Sequence, residues 1–202
     1  LNRKKIKFIP KEENIFPYFS ELDGKSYLSY YNGDGEKVLK DQMAAIITSR
    51  PVKIKLRNNT FISFLVDFMC IAKEYRKKKI AQEMIQTHLF NQVKKQPNII
   101  TCFFKRETDL TLIVPSVIYN TYCFDLTKWD LKKIHAKYNI LKITPKTFDL
   151  FYHFLSTVSS RYLLFACPTY SNLINLVKSN NYKIYVILLE NEVISCYIFK
   201  HA

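Results

Sequence analysis

Hydrophobic and polar residues alternate along the first third of the chain as they do in half-buried β-strands. Residues 25–31 (KSYLSYY) predict a strand, and Asn32-Gly33-Asp34-Gly35 is typical of a tight hairpin turn. The pattern that follows predicts a return strand at 42–49, its end at Pro51, an alternating segment at 52–56 and a turn at 57–60.

Residues 61–71 (FISFLVDFMCI) form a nearly continuous apolar run, which predicts a central strand covered on both faces. The remaining pattern predicts a helix at 76–93, a strand at 99–104, a loop with a short apolar run at 105–117, a helical segment at 126–138, helices at 145–158 and 168–179, and a closing hairpin from 182–189 and 193–199. This order predicts an α/β (α+β) protein with a mixed, mostly antiparallel twisted sheet flanked by helices.

Composition excludes several kinds of site. The chain has 3 Gly, all before residue 36, so no glycine-rich phosphate loop follows Gly35. Its 5 Cys are an odd number without C-x-x-C and lie in apolar runs, so we expect small buried side chains in a reducing compartment, the cytoplasm. The His residues show no metal-ligand spacing, so no metal is predicted. No apolar stretch is long enough for a membrane span.

The formal net charge of +14 predicts a polyanionic partner: nucleic acid, anionic lipid or a phosphorylated cofactor. Aromatic and basic residues are interleaved at Tyr30-Tyr31 and at 103–106, an arrangement that could stack bases. With 14 Tyr and 15 Phe in the chain, we expect most of these rings in the core. Nucleic-acid binding is therefore not the favoured interpretation.

The most informative stretch is residues 67–82. Within it, Arg76-x-x-Lys79-x-Ala81 resembles the R/Q-x-x-G-x-G/A turn of the GNAT acetyltransferases, with Lys79 in place of Gly. The stretch resembles more closely the N-myristoyltransferase run N-F-L-C-V-H-K-K-L-R-S-K-R-L-A-P, with identities at Phe68, Cys70, Lys73, Arg76, Lys78 and Ala81. Three further segments resemble that family: 43–51 its L-V-G-F-I-S-A-I-P strand, 113–115 its V-L-P, and 182–199 the first hairpin of its second half.

The resemblance implies two GNAT-like units: residues 1–145 as an acyl-CoA-binding half, and 146–202 as an incomplete second half packed on it. It implies transfer of a long acyl chain from myristoyl-CoA or another acyl-CoA to a protein N-terminal glycine. By the same resemblance the backbone amides of Phe68 and Met69 would form an oxyanion hole. The acyl-CoA would be held by Cys70, Ile71, Arg76, Lys77, Lys78, Lys79, Ile80 and Ala81.

Departures from the family pattern keep other interpretations open. Asp67 replaces Asn, Ala72 replaces His and Gln82 replaces Pro, and the C-R-Y-W-H-R motif is replaced at 121–126. The resemblance also implies a chain shortened at both ends, whose Ala202 carboxylate does not correspond to the family's catalytic terminus. The alternatives are a degenerate structural or acyl-CoA-binding relative, for example in a virion, a chain completed by a partner chain, and an ordinary GNAT N-acetyltransferase.

Overall fold

The computed structural model describes residues 11–33, 43–99, 101–105, 114, 117–120, 122, 124–125, 127, 129–130 and 134–200. Its helices are α1 (Glu12–Ile15), α2 (Ile80–Lys95), α3 (Phe148–Ser159) and α4 (Tyr170–Lys178), with short 3-10 helices at Phe16–Phe19 and Lys73–Tyr75. Its strands are β1 (Tyr27–Asn32), β2 (Met43–Leu56), β3 (Asn59–Ile71), β4 (Cys102–Phe104), β5 (Tyr138–Lys142), β6 (Leu164–Cys167), β7 (Tyr182–Leu189) and β8 (Glu192–Lys200).

The first sheet has five strands, in the order β1-β2-β3-β4, with β6 also paired to β2. All its pairs are antiparallel except β3 with β4, which is parallel. Strand β3 runs the whole length of one edge of β2, so β1 and β6 share the other edge. The apolar run at 61–71 is therefore central in the sheet, as predicted. It is not covered on both faces along its length, because most of its side chains are half-buried and Cys70 is exposed.

Strand β2 continues through Pro51, so the prediction that Pro51 ends a strand is wrong. On the edge away from β3, the pairing with β1 stops at Ser49 and the pairing with β6 begins at Lys53. Pro51 lies in the gap between these two partners. Its missing N–H therefore leaves no ladder hydrogen bond unmade on that edge, which is the condition under which a strand tolerates proline.

The second sheet has three antiparallel strands in the order β5-β7-β8. Helices α3 and α4 bury their apolar faces against it, and the resulting core contains the fully buried side chains Phe148, Phe151, Ile184 and Val186. The predicted division at residue 145 stays a prediction. Strand β5 of the second sheet precedes that residue, and β6, which follows it, belongs to the first sheet.

Helix α2 covers one face of the first sheet. Ile80 and Met84 on the helix pack against Ala45 and Ile47 of β2. On the other side of the molecule the N-terminal segment is fastened to α4, because Asn172 Nδ2 donates hydrogen bonds to the carbonyl oxygens of Pro17 (3.0 Å) and Ser20 (2.7 Å). This brings Tyr18 to Tyr182, at the start of β7, and Phe19 to Phe68 of β3.

The predicted α/β class, with a mostly antiparallel sheet flanked by helices, is confirmed. Helices α2, α3 and α4 and the closing hairpin occur where they are predicted, although residues 76–79 form a turn before α2 rather than its first turn. The helical prediction at 126–138 is wrong at Tyr138, which begins β5, and β6 was not predicted. Some of the predictions fall outside the described residues: much of 105–117 and 126–133, part of the motif replacement at 121–126, and Ala202.

Candidate functional site

Strand β3 extends beyond the end of its parallel neighbour, β4. The register with β4 covers only Phe64, Leu65 and Val66, which pair with residues 102–104, whereas β3 continues to Ile71. Within the described part of the chain, residues 67–71 therefore have no strand partner on the β4 side. Backbone groups along such a separated edge are free to bind an extended ligand.

At the point of separation β3 contains a β-bulge. Ile47 of β2 pairs with Met69 and Ser49 pairs with Val66, so Asp67 and Phe68 together stand opposite the single residue Thr48. Bulges of this kind redirect backbone and side chains and are frequent beside active sites. The bulge thus includes Phe68, one of the two residues whose amides were predicted to bind the acyl oxygen, and the other, Met69, directly follows it.

The side chain of Thr48 holds the bulge. Its hydroxyl accepts a hydrogen bond from the Phe68 N–H (3.1 Å) and lies 3.4 Å from the Phe68 carbonyl oxygen, to which it donates. One of the two predicted oxyanion-hole amides is therefore engaged by a side chain. The oxyanion-hole assignment stays a prediction, and it now requires the Thr48 hydroxyl to give way to the acyl oxygen.

The predicted site residues lie on two sides of β3. Met69 and Ile71 pack into the apolar cluster beneath α2. Phe68 faces the opposite side, where its ring lies 6.1 Å from that of Phe19. Cys70 was expected to be buried, and this is wrong: it is exposed, because it projects away from the α2 cluster on the separated edge. The other described cysteines are half-buried, and Cys123 lies outside the described residues.

The turn between β3 and α2 has a backbone suited to anions. Lys77 and Lys79 have positive φ angles of 66° and 63°, and Lys78 between them does not. Successive residues of alternating φ direct neighbouring N–H groups into one concave surface, the nest that binds phosphate groups. Lys79 stands where the GNAT pattern has Gly, and its left-handed conformation explains why Gly is preferred there.

The N-terminus of α2 opens directly from this turn. Ile80 and Ala81 begin the helix, and no side chain of the described residues caps it. The first N–H groups of a helix have no intrahelical acceptor and carry the positive end of the helix dipole. Arg76 fixes the turn to β3, since its Nε donates to the carbonyl oxygen of Ile71 (3.1 Å).

The turn also concentrates positive charge. Lys73 and Arg76 to Lys79 are all exposed, and no described carboxylate lies within ion-pair distance of them. Tyr75 is packed in the α2 cluster, with its ring 6.4 Å from that of Tyr31 and its hydroxyl against Gly33. The Lys78 ammonium lies 5.1 Å from the Tyr75 ring. The basic residues of the predicted cofactor site, Arg76 to Lys79, thus lie together in this turn, whereas Ile71 and Ile80 pack in the α2 cluster and Cys70 is exposed on the other side of β3.

Sequence reasoning missed two residues at this site, Thr48 and Arg50. Both are buried on β2, where Arg50 Nε donates to Asp67 Oδ2 at 2.6 Å. A signal was present, because Thr48-Ser49-Arg50 is a polar run inside an otherwise apolar strand. Such residues need internal partners when they are buried, which is a reason to search the neighbouring strand for them.

His88 forms a separate buried network. Its Nδ1 and Nε2 hydrogen-bond with the hydroxyls of Ser29 and Ser49, each at 2.8 Å, and Gln92 Nε2 donates to Ser49 Oγ. Burial lowers the pKa of His88. This network joins α2 to β1 and β2. It lies beneath the helix, so its role is structural.

A cavity of about 430 Å³ lies at the other end of the sheet, between β2 and α3. It is distant from the turn because β3 runs from Thr60, in its wall, to Ile71. Among the described residues, no group of three or more His, Cys, Asp or Glu side chains could hold a metal ion. None of the described helices is long and apolar enough to cross a membrane.

Comparison with known proteins identifies the same region. Residues 24–115 match the family model of myristoyl-CoA:protein N-myristoyltransferase, N-terminal domain. No curated protein sequence matches the chain. A crystal structure of Saccharomyces cerevisiae N-myristoyltransferase with bound myristoyl-CoA superimposes with a TM-score of 0.57 and 14% identity over 79% of this chain. A second, with bound myristoyl-CoA and inhibitors, gives a TM-score of 0.57 and 13% identity over 94%.

The chain spans 42% and 55% of the length of these two solved proteins. At such low identity the structural likeness shows the fold, and the family match over residues 24–115 adds the sequence relationship. The predicted N-myristoyltransferase resemblance is confirmed.

Proposed function

Because this chain is N-myristoyltransferase-like over residues 24–115, we propose that it binds a long-chain acyl-CoA at the separated end of β3 and transfers the acyl group to the N-terminal glycine of a protein. One observation carries the proposal: β3 passes beyond β4, bulges at Asp67-Phe68, and leads into an anion-binding turn at the N-terminus of α2. Solved relatives with this fold contain bound myristoyl-CoA.

The turn would hold the pyrophosphate. The backbone N–H groups of residues 77–81 supply donors, and the side chains of Arg76 and Lys78 supply charge. The small side chain of Ala81 lets the phosphates approach the first turn of the helix. Between turn and bulge, the pantetheine arm would lie along the free edge of β3 at Cys70 and Ile71, pairing with the backbone as an added strand does.

Transfer would proceed by direct attack. The acyl carbonyl oxygen would sit on the Met69 and Phe68 amides, the latter released when the Thr48 side chain rotates and moves its oxygen away. The neutral amine of the acceptor attacks the carbonyl carbon, so that a C–N bond forms and the C–S bond breaks. Coenzyme A leaves as a thiolate and takes up a proton, and the new amide loses one. No acyl-enzyme forms, and catalysis rests on positioning and on stabilising the oxyanion.

Calorimetry with myristoyl-CoA, acetyl-CoA and unacylated CoA tests the binding step. We expect micromolar or tighter binding of myristoyl-CoA, clearly stronger than that of the other two. The double variant Arg76→Ala with Lys78→Ala should weaken it by about tenfold or more, because two charged phosphate donors are lost. The matched control, Lys142→Ala with Lys183→Ala, removes the same charge from the exposed face of the second sheet and should leave binding unchanged.

The transfer step is tested with a peptide bearing an N-terminal glycine, against the same peptide with its amine acetylated. Acylated peptide from the first and none from the second supports the proposal. Absence of binding by a folded chain rejects it. Equal binding of acetyl-CoA and myristoyl-CoA would instead favour an ordinary N-acetyltransferase.

A second candidate function is acyl-CoA binding without transfer. It is favoured by the hydrogen bond from the Phe68 N–H to Thr48, which occupies a donor that catalysis needs. Tight binding of myristoyl-CoA with no acylated peptide would support it. A partner chain that completes the second unit belongs to the same proposal, since the chain spans about half the length of the solved proteins. A cytoplasmic location and a virion location both stay predictions.

A further inference from the structure

A buried ion pair stands directly beside the bulge. The Arg50 side chain is 5% exposed and that of Asp67 is 21% exposed, and Arg50 Nε donates to Asp67 Oδ2 at 2.6 Å. Arg50 Nη1 is buried and has no hydrogen-bond acceptor among the described residues. Burying a charged group while one of its donors has no acceptor costs free energy. Packing of the core alone therefore does not explain this pair.

Both members of the pair depart from the segments that the chain resembles. At positions 50 and 67 those segments have Ile and Asn, whereas this chain has Arg and Asp. A carboxylate at position 67 precedes Phe68, one of the two amides proposed to receive the acyl oxygen. A bare carboxylate in this half-buried place would repel the negative charge that develops on that oxygen, because charges interact strongly away from bulk water.

The surroundings of Arg50 are positive or neutral. Its guanidinium carbon lies 5.7 Å from the centre of the Tyr18 ring, and the Lys200 ammonium lies 4.6 Å from the same ring. Tyr182 packs edge-on against Tyr18 at 5.9 Å. Burial raises the pKa of both Tyr18 and Tyr182, so both phenols are neutral near pH 7. Burial lowers the pKa of Lys200, Asp67 raises it, and Arg50 and Lys105 lower it. Among the described residues of this group, Asp67 is therefore a single carboxylate beside three cationic side chains.

We infer that Arg50 is a positioning residue for acyl transfer: it neutralises Asp67 and fixes it in the bulge, so that the acyl oxygen at Phe68 and Met69 develops its charge in a positive field. The inference rests on the proposed function. Arg50 and Thr48 act side by side from β2, because Thr48 holds Phe68 and Arg50 holds Asp67. Together they fix both residues of the bulge.

A charge-removal cycle tests the inference. The variants are Arg50→Met, Asp67→Asn and the two combined, each assayed for myristoyl-CoA binding and for kcat and KM with the glycine peptide. Arg50→Met should lower kcat by about tenfold or more while the acyl-CoA KM changes by less than about threefold, because the loss concerns charge formed during the reaction. Adding Asp67→Asn should restore kcat to within about threefold of the parent chain.

A merely structural Arg50 gives another pattern. In all three variants kcat would then follow the folded fraction measured by circular dichroism, and this result overturns the inference. A double variant with kcat no higher than that of Arg50→Met overturns it as well. If Arg50→Met does not fold, Asp67→Asn decides, since it should keep or raise kcat and a fall of tenfold would contradict the inference. Failure of the parent chain to bind any acyl-CoA rejects the proposed function itself, and the inference with it. Normal binding and turnover in Arg50→Met rejects the inference only.

Discussion

The hydroxyl of Thr48 accepts a hydrogen bond from the backbone N–H of Phe68 and donates one to its carbonyl oxygen, across a bulge in which two residues of β3 oppose one residue of β2. A single side chain thus replaces the ladder hydrogen bonds that the bulge removes. Under the proposed function the same Phe68 N–H would bind the acyl oxygen, so Thr48 would affect both stability and acyl-CoA binding.

Thr48→Val should separate these two roles. We expect the free energy of unfolding in urea to fall by about 1 kcal/mol, because Phe68 loses its hydrogen-bond partner. Myristoyl-CoA binding should be retained or tightened, since the acyl oxygen then has no competitor. Thr157→Val is the control, because Thr157 is exposed on α3 and bonds only within its helix. Loss of acyl-CoA binding in folded Thr48→Val would count against the oxyanion-hole assignment.

The backbone of the turn makes a prediction about glycine. Lys79→Gly removes side-chain strain at a φ of 63°, whereas Lys78→Gly adds flexibility where φ is negative. The two variants lose the same charge, yet Lys79→Gly should be the more stable by about 1 kcal/mol. Thermal or urea unfolding measures the difference. Equal stabilities would contradict the alternating turn geometry.

Gly33 should not tolerate a larger residue. A Cβ at this position would overlap the Tyr75 hydroxyl and lie 2.7 Å from Tyr75 Cζ. Since Tyr75 is packed against Tyr31, Gly33→Ala should lower the free energy of unfolding by about 1–3 kcal/mol. Gly24→Ala is the matched control, because its nearest contact would be Pro51 at an ordinary 3.5 Å. If both variants are equally stable, Tyr75 is not held where the structure has it.

His88 should make the protein sensitive to acid. Burial lowers its pKa in the folded state below the ordinary value of 6.5, so the unfolded chain binds the proton more readily. The stability that this group contributes is present above pH 6.5 and is lost as the pH falls through the lowered value. Urea unfolding between pH 7.5 and 5 should show this loss. His88→Gln should reduce it, and His153→Gln, at an exposed position on α3, should not.

Cys70 should be the most reactive of the described cysteines. It is exposed, whereas burial raises the pKa of Cys102 and Cys196 and raises that of Cys167 to about 11. In a Cys123→Ser background, a maleimide at pH 7.5 should label Cys70 first, as peptide mass spectrometry would show. Bound myristoyl-CoA should slow the labelling, since its pantetheine arm would cover this edge of β3. Labelling at an unchanged rate would place the ligand elsewhere.

Local pattern predicted much of the fold. The apolar run at 61–71 and the amphipathic pattern at 145–158 each correspond to one element, β3 and α3. Strand β6 was not predicted, because no turn residue or change of pattern separates its four residues (LFAC) from the preceding Tyr162-Leu163. These four residues form a strand by pairing with Lys53 to Leu56. A partner more than 100 residues away leaves no local signal.

The candidate site was likewise predictable from the sequence only in part. The basic turn before α2 is readable because its residues are consecutive and its helix begins at once. The bulge is a matter of register between β2 and β3, and register depends on which residues face each other across strands. The contacts of Thr48 and Arg50 can therefore be assigned only once Phe68 and Asp67 are known to lie opposite them.

The gap at Pro51 has a consequence for the order of folding. One edge of β2 is completed by β1 from the N-terminal side and by β6 from more than 100 residues further on. During synthesis, after β3 and α2 have left the ribosome, the edge of β2 at Lys53 to Leu56 therefore has no partner strand until Cys167 emerges. Unpaired strand edges are where chains aggregate, and contacts this distant slow folding. Two lysines of that edge, Lys53, which is exposed, and Lys55, which is half-buried, are the protection that β2 itself provides in the interval.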